Sequence, residues 1–410
     1  MKAGRFVRTN ERRKLMFGKP KWQLQEVPPK GKKGRKQAAR VQAKALKGAK
    51  LEADPKMKKA KNGVPLSKLR YPVPTPEKMV DEKGRVAVGT FDKEFPIINL
   101  LDAKDVGVPK FLNRAKVTLW EALEVNFEDI SFLTAMSVMG GAVTIALTLV
   151  YDKKTGEMTS FMAPMLAKNG YMSENLLDGS ATVAKSKLNS VTFENCQNQG
   201  KAHVFGQGKK GKNKVSYDLQ LTRWSDPAVG SMPFGGNISL YSQKDIFTVE
   251  GSIIFNGKEY KANDATMAII DDHRGYYPKK AHYDWITNMG YCTVKGKPVK
   301  YGFNLTRNQS IDQDDYNENI LWLGDKNDRL PPVYFKHYDY DHWRIYDEYG
   351  TIDLDYQVKD RNLVKFNLGI ACSDYSITFG DLKGFIIGED GTKYEIDDVG
   401  IGEDRSMKLL

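Results

Sequence analysis

Ser131–Val150 reads SFLTAMSVMGGAVTIALTLV, twenty residues without a charge. A stretch of that length suits one membrane-spanning helix, which needs about 20 apolar residues. It also suits two β-strands. Gly140-Gly141 divides it evenly, and Tyr151-Asp152-Lys153-Lys154-Thr155-Gly156 follows as a second turn signal. Val143, Thr144, Ile145, Thr148 and Val150 favour extended backbone, because β-branched side chains pack well on a pleated surface. We read the segment as a hairpin and expect no transmembrane segment.

The same grammar extends outward. From about residue 80, turn signals recur every ten to fifteen residues, among them Glu82-Lys83-Gly84, Asn256-Gly257, Lys295-Gly296-Lys297, Tyr349-Gly350 and Glu389-Asp390-Gly391. Between them lie alternating or β-branched runs such as Phe247–Phe255, Lys300–Thr306, Thr351–Tyr356 and Gly384–Ile387. Regular spacing of this kind predicts an all-β protein of antiparallel sheets closed into barrels or sandwiches. A length of 410 residues exceeds what one core usually fills. We expect an N-terminal β-barrel-like domain over 71–255 and a C-terminal one over 256–410.

Residues 1–70 differ. They carry 23 Lys and Arg against four acids, a net +19, whereas the other 340 residues hold 40 basic and 47 acidic groups, a net −7. So few large apolar groups cannot offset the entropy of ordering, so 1–70 is expected to be a disordered tail, partly helical over Gln37–Leu51. Such a tail would bind polyanions, either nucleic acid or an anionic membrane surface, or would merely solubilise the chain. Cys196, Cys292 and Cys372 are few, odd in number and widely spaced, which argues against a disulfide framework or a zinc module. The first thirty residues lack the apolar core of a secretory signal, and a cytoplasmic location is expected.

Chemistry-bearing residues concentrate in Ala268–Pro278 (AIIDDHRGYYP), followed by His282-Tyr283-Asp284-Trp285. Adjacent strand residues face opposite ways, so Asp271 and His273 share one face and Asp272 takes the other. Whichever face looks inward buries an ionisable group, and desolvation keeps an aspartate protonated and able to donate. The structural alternative is that Asp272 or His273 caps a turn and holds Arg274 in a buried ion pair. Asp312–Asn319 (DQDDYNEN) spaces its acids like a calcium loop but lacks the turn glycine and the bidentate glutamate. Asn317-Glu318-Asn319 leads into the apolar Leu321-Trp322, so Glu318 is either a second acid/base group or part of a bulge. His337-Tyr-Asp-Tyr-Asp-His342 places His337, Asp339 and Asp341 on one strand face, a pattern that suits a metal but is common on exposed strands. No phosphate loop, HExxH or GxSxG occurs, and we expect neither metal nor cofactor.

From Tyr71 onward the chain resembles the bacterial family known as domain of unknown function 2804. The resemblance rests on Pro72-Val-Pro74, Asp81–Gly84, Leu119-Trp120-Glu121, Ile270–Gly275 with Pro278, Asp284-Trp285, Gly302–Leu305, Asn317–Asn319 and Gly402-Glu-Asp404. A looser resemblance links Gly251–Tyr260, Asp272-His273 and Tyr283-Asp284-Trp285 to the carotenoid 1,2-hydratase (hydroxyneurosporene synthase) group. That resemblance implies tandem lipocalin-like barrels, an apolar polyene or terpenoid-like substrate, and proton-initiated addition of water. Asp272 and His273 would match its acid motif and Trp285 its aromatic wall. Asp271 doubles the acid and departs from the pattern.

These readings give an expected site. In a hydratase or isomerase acting on an apolar small molecule, Asp272 would donate the proton, His273 would orient it or relay protons, and Glu318 would hold water. Tyr276, Tyr277, Trp285 and Trp322 would stabilise a developing cation through their ring faces, with Asp271, Arg274, Asn304 and Asn317 completing the pocket. The alternative is a lipocalin-like carrier with the same pocket and no chemistry.

Overall fold

The structure, a computed structural model, describes residues 70–367 and 372–408. The expected basic tail lies outside the described residues apart from Arg70. Two curled antiparallel sheets, a nearly closed barrel and a half-barrel, account for the described chain.

The first sheet holds β1 (Gly89–Phe91), β2 (Thr118–Asn126), β3 (Ile130–Met139), β4 (Val143–Asp152), β5 (Glu157–Leu166), β6 (Gly170–Tyr171) and β7 (Ala181–Ala184). It continues with β8 (Asn189–Cys196), β9 (Lys201–Lys210), β10 (Asn213–Arg223), β11 (Ala228–Gly235), β12 (Ile238–Phe255), β13 (Lys258–Lys261) and β14 (Met267–Gly275). The main path runs β5-β4-β3-β2-β14-β12-β10-β9-β8-β7-β6. Ser131–Val150 forms the β3–β4 hairpin, whose turn puts Gly140 and Gly141 at φ +58° and +61°. No helix among the described residues is long and apolar enough to cross a membrane. The path's two ends come together through side chains: Asn189 of β8 donates to the Phe161 carbonyl of β5 at 3.0 Å and accepts from Thr148 of β4 at 3.1 Å. Phe132, Phe161, Phe193, Tyr217 and Phe247 fill the interior.

The second sheet comprises β15 (Lys280–Val294), β16 (Lys297–Arg307), β17 (Ile320–Trp322), β18 (Asn327–Arg329), β19 (Val333–His337), β20 (His342–Asp347), β21 (Ile352–Asn367), β22 (Cys372–Ile387) and β23 (Lys393–Lys408). Its order is β18-β17-β16-β15-β23-β22-β21-β20-β19, curled around Tyr301, Phe303, Trp343 and Tyr356. The change of sheet falls between Gly275 and Lys280. The sequence division at 255/256 falls instead in the Asn256-Gly257 turn joining β12 to β13, so β14 belongs to the first sheet.

The outer face of the barrel packs on the outer face of the half-barrel. Ala122, Leu133, Leu147 and Tyr151 meet Trp285, Tyr375, Ile377 and Phe379 in one cluster. Ile246, Met267 and Ile269 meet Met289, Ile320 and Trp322 in another. Strands β2, β12 and β14 are therefore covered on both faces, one by the barrel interior and one by the other sheet. This arrangement positions the site.

Gly251 lies in β12 opposite Leu219 with φ +109°, and a Cβ there would strike the Asp218 carbonyl oxygen. Left-handed backbone plus that clash predicts that Gly251→Ala destabilises the protein by about 1–3 kcal/mol, read from chemical denaturation midpoints. An unchanged midpoint would show that β12 is not held in this conformation.

Candidate functional site

Along β14 the period of two divides the charged residues between two compartments. Ala268 and Ile270 point into the barrel, so Asp272 and Arg274 do too; Met267 and Ile269 point at the second sheet, and so do Asp271 and His273. Neighbouring strands extend each set in register. Facing inward, Asp272 lies between Glu121 of β2 and Gln243 of β12. Facing the second sheet, Asp271 pairs with Lys244 and His273 with Ser242.

The inward set is an ion pair with most of its hydrogen bonds made, although Arg274 Nη2 and Asn195 Oδ1 are buried without a hydrogen-bond partner. Arg274 Nε donates to both Asp272 oxygens, at 3.1 and 2.8 Å, and its Nη1 donates to the carbonyls of Ser173 and Glu174. Glu121 accepts from Thr182 and Asn195. Burial, then the nearby Asp272 charge, pushes the Glu121 carboxyl up to about 7. Burial also raises Asp272, against the pull of Arg274. Asp272 thus occupies the place foreseen by the structural alternative, a buried partner for Arg274.

The outward set is denser. Lys244, without exposure, contacts Asp271 Oδ2 and stands 3.5 Å from Glu318 Oε2 and 3.3 Å from His273 Nε2. His273 Nε2 lies 3.0 Å from Glu318 Oε2, 3.1 Å from Ser242 Oγ and 3.4 Å from Asp271 Oδ1. Ser242 donates to Glu318 Oε2 at 2.6 Å. Burial opposes every charge here, and the pairing decides the outcome. Glu318 ends well below the usual carboxylate range because Lys244 and His273 outweigh its desolvation. His273 and Lys244 end raised, since Asp271 and Glu318 outweigh theirs. For Glu124, one strand over, compensation falls short: burial and the Asp271 charge outweigh the pull of Lys244 and hold its carboxyl well above the ordinary value. Glu124 Oε2 and Asp271 Oδ1 are buried without a hydrogen-bond partner.

These groups border a cavity between the sheets of about 30 Å³, room for one or two waters. Its walls include Trp120, Tyr277, Tyr283 and Trp285, with Glu124, Asp271, His273, Glu318, Glu403 and Arg405. Burial raises Glu403, which accepts from Tyr375. A second cavity of about 210 Å³ reaches Ser242, Lys244 and Glu318 alongside Arg70, Asp92 and Arg329. The charged cluster therefore lies where two cavities approach each other.

Of the expected residues, the structure brings together Asp271, His273, Glu318, Tyr277 and Trp285 at the first cavity. Asn304 stands behind it, accepting from Trp285 Nε1 at 2.6 Å and donating to the Glu318 carbonyl. Asn317 and Asn319 fasten the segment carrying Glu318. Asn317 donates to the Gln313 carbonyl, Asn319 donates to the Pro331 carbonyl, and Arg70 donates to both asparagine carbonyls. Asp272 and Arg274 lie on the other face of β14. Tyr276 packs against the segment before β2 and donates to the Leu100 carbonyl, while Trp322 is core and donates to the Asp226 carbonyl. Asp339 and Asp341 fall in the β19–β20 turn rather than on a strand, Asp339 capping its backbone and Asp341 pairing with Arg361. Sequence reasoning missed Lys244, Ser242, Glu124, Glu403 and Arg405. The one available signal was the polar run Ser242–Asp245 entering an apolar strand.

Two outcomes check this geometry. Asp272→Ala leaves the Arg274 charge buried alone and should cost about 3–5 kcal/mol, measured by denaturant titration. Glu124→Gln should stabilise, and increasingly so with pH. Because the folded-state pKa of Glu124 is raised, its contribution is intact below the unfolded value near 4.5 and is lost as pH rises towards the folded value. The advantage of the Gln variant should grow by up to about 1.4 kcal/mol per pH unit above 5; a pH-independent difference would show that Glu124 titrates normally.

Solved structures similar to this chain include kievitone hydratase from Nectria haematococca, 11% identical over 71% of this chain and 89% of that one, TM-score 0.43. CghA with Sch210972 is 9% identical over 82% of this chain and 98% of that one, TM-score 0.45. No curated protein sequence matches significantly. The family described as Domain of unknown function (DUF2804) matches over residues 72–409, and the chain belongs to that family.

Proposed function

We propose that this protein is an acid–base enzyme of the hydro-lyase or isomerase type, acting on a small, largely apolar molecule whose reacting carbons enter the cavity between the two sheets, which must widen beyond its one-to-two-water volume to admit them. One observation carries the reading: a buried carboxyl pushed well above its ordinary value by burial and the Asp271 charge, Glu124, and a buried carboxylate oxygen without a hydrogen-bond partner, Asp271 Oδ1, border the same aromatic-walled cavity. Clusters of this kind cost stability relative to apolar packing, and strongly perturbed groups concentrate where chemistry is done.

In a hydration, Glu124 gives its proton to one carbon of a double bond. The ring faces of Trp120, Tyr277 and Trp285 stabilise the cation left on the other carbon. A water molecule bonds to that carbon while Asp271 Oδ1 accepts the water's proton, so the product is the alcohol. Passage of that proton from Asp271 to Glu124 restores the starting state. Lys244, His273 and Glu318 hold Asp271 in place and supply the countercharge. Loss of a proton from the cation, in place of water capture, gives isomerisation.

The test is native mass spectrometry and organic extraction of the purified full-length protein, followed by incubation of any extracted molecule with enzyme in ²H₂O. Solvent deuterium should enter carbon–hydrogen positions, and Glu124→Gln should slow this by about 10²–10⁴-fold while still binding the molecule. A molecule bound tightly but recovered without deuterium would make the protein a carrier.

A further inference from the structure

The first cavity is walled mainly by one face of β15 and β23, with His282 of the other face also in its lining. On the opposite face, where Ile286 points into the half-barrel, register pairs Asp284 with Asp404 and His282 with Ser406. One ligand atom from each of His282, Asp284 and Asp404 lies within 4.8 Å of the others. Asp284, whose side chain is 9% exposed, has His282 Nε2 3.2 Å from one oxygen and His337 Nε2 3.0 Å from the other. His282 Nδ1 stands 3.0 Å from Ser406 Oγ and 3.9 Å from Asp404 Oδ1. Among the described residues no Lys or Arg ion pair reaches Asp284 or Asp404, so imidazoles alone face these two carboxylates.

Two carboxylates converging with one imidazole, and with no fixed cation between them, form a charge deficit that a divalent ion relieves. With bonds of about 2.0–2.2 Å, a four-coordinate ion sets its ligand atoms about 3.4 Å apart. Bringing the three donors to that spacing needs shifts on the order of 1 Å. His337 then holds the second oxygen of Asp284, the outer-shell hydrogen bond that metal-bound carboxylates commonly receive. An imidazole in the set selects a first-row transition ion over Mg²⁺ or Ca²⁺, which take oxygen.

We propose that His282, Asp284 and Asp404 bind one divalent transition-metal ion, with His337 positioning Asp284 and the remaining coordination open to water. Metal binding here does not require the chemistry assigned to the first cavity, although His282 belongs to both linings.

The experiment is titration of metal-stripped full-length protein with Zn²⁺ by calorimetry, and with Co²⁺ by visible absorption. One equivalent should bind with a dissociation constant of micromolar or tighter, and Co²⁺ should show the d–d bands of a low-coordinate site. His282→Ala should abolish binding and Asp404→Asn weaken it at least tenfold. His337→Gln should weaken it 10–100-fold, as expected for an outer-shell partner. His203→Gln, altering an imidazole elsewhere, should bind as wild type does, with circular dichroism confirming that each variant is folded. Binding weaker than about 100 μM, or equal binding by wild type and folded His282→Ala, would overturn the proposal. In that outcome the cluster is a hydrogen-bonded His–Asp–His arrangement.

Discussion

Everything in this molecule follows from strands that are buried on both faces. In an ordinary antiparallel sheet, alternation separates a dry side from a wet one. Here Glu121–Asn126 of β2, Ser239–Phe247 of β12 and most of β14 have the barrel core on one side and the second sheet on the other, so neither set of side chains there reaches bulk water. Charges on such strands must find partners within the protein or lose their charge. Both solutions occur side by side. Asp272 keeps Arg274, while Glu124, two residues along β2 from Ala122, is pushed up by burial and the Asp271 charge against the weaker pull of Lys244.

The two compartments differ in which groups their hydrogen bonds leave over. Inside the barrel, Asp272 receives both contacts of the Arg274 Nε, and Glu121 is capped by Thr182 and Asn195. Between the sheets, Lys244, His273 and Ser242 converge on Glu318 and Asp271, yet oxygens of Asp271 and Glu124 remain without hydrogen-bond partners beside a cavity. Inside the barrel the atoms left over are Arg274 Nη2 and Asn195 Oδ1, on a fixed cation and a neutral amide. The kind of group left over, rather than burial itself, separates the two sets.

Much of this was legible beforehand. Gly140-Gly141 announced the hairpin, and a period of two assigned Asp271 and Asp272 to opposite faces. Which face would meet the cavity was not legible, because alternation gives no polar side when both sides are buried. Lys244 escaped notice because Ser242–Asp245 has the composition of a loop, and its strand was recognised only from Phe247 onward; packing overrode local preference there. Glu124 escaped because an acid in an apolar run carries no sign of what faces it across the sheets, and Glu403 was read only as part of the Gly402-Glu-Asp404 resemblance. Asn317-Glu318-Asn319 was the converse case. The oddity was visible, and its reason is that the asparagine side chains and Arg70 replace the ladder hydrogen bonds that the segment forgoes.

The logic of β14 recurs in the second sheet. Along β15, Tyr283 and Trp285 face the cavity while His282 and Asp284 alternate to the other face, His282 still reaching the cavity lining; along β23, Glu403 and Arg405 take the first side and Asp404 the second. Two clusters of opposite character are thus built from adjacent residues and separated by one backbone thickness. A change in charge on one face acts on the other through a short, dry path, where Coulomb interactions are far less screened than in water. His282, Asp284 and Asp404 are therefore not independent of Glu403 and the cavity beyond it: whatever ion or proton settles among them sets part of the field in which the carboxyls between the sheets ionise.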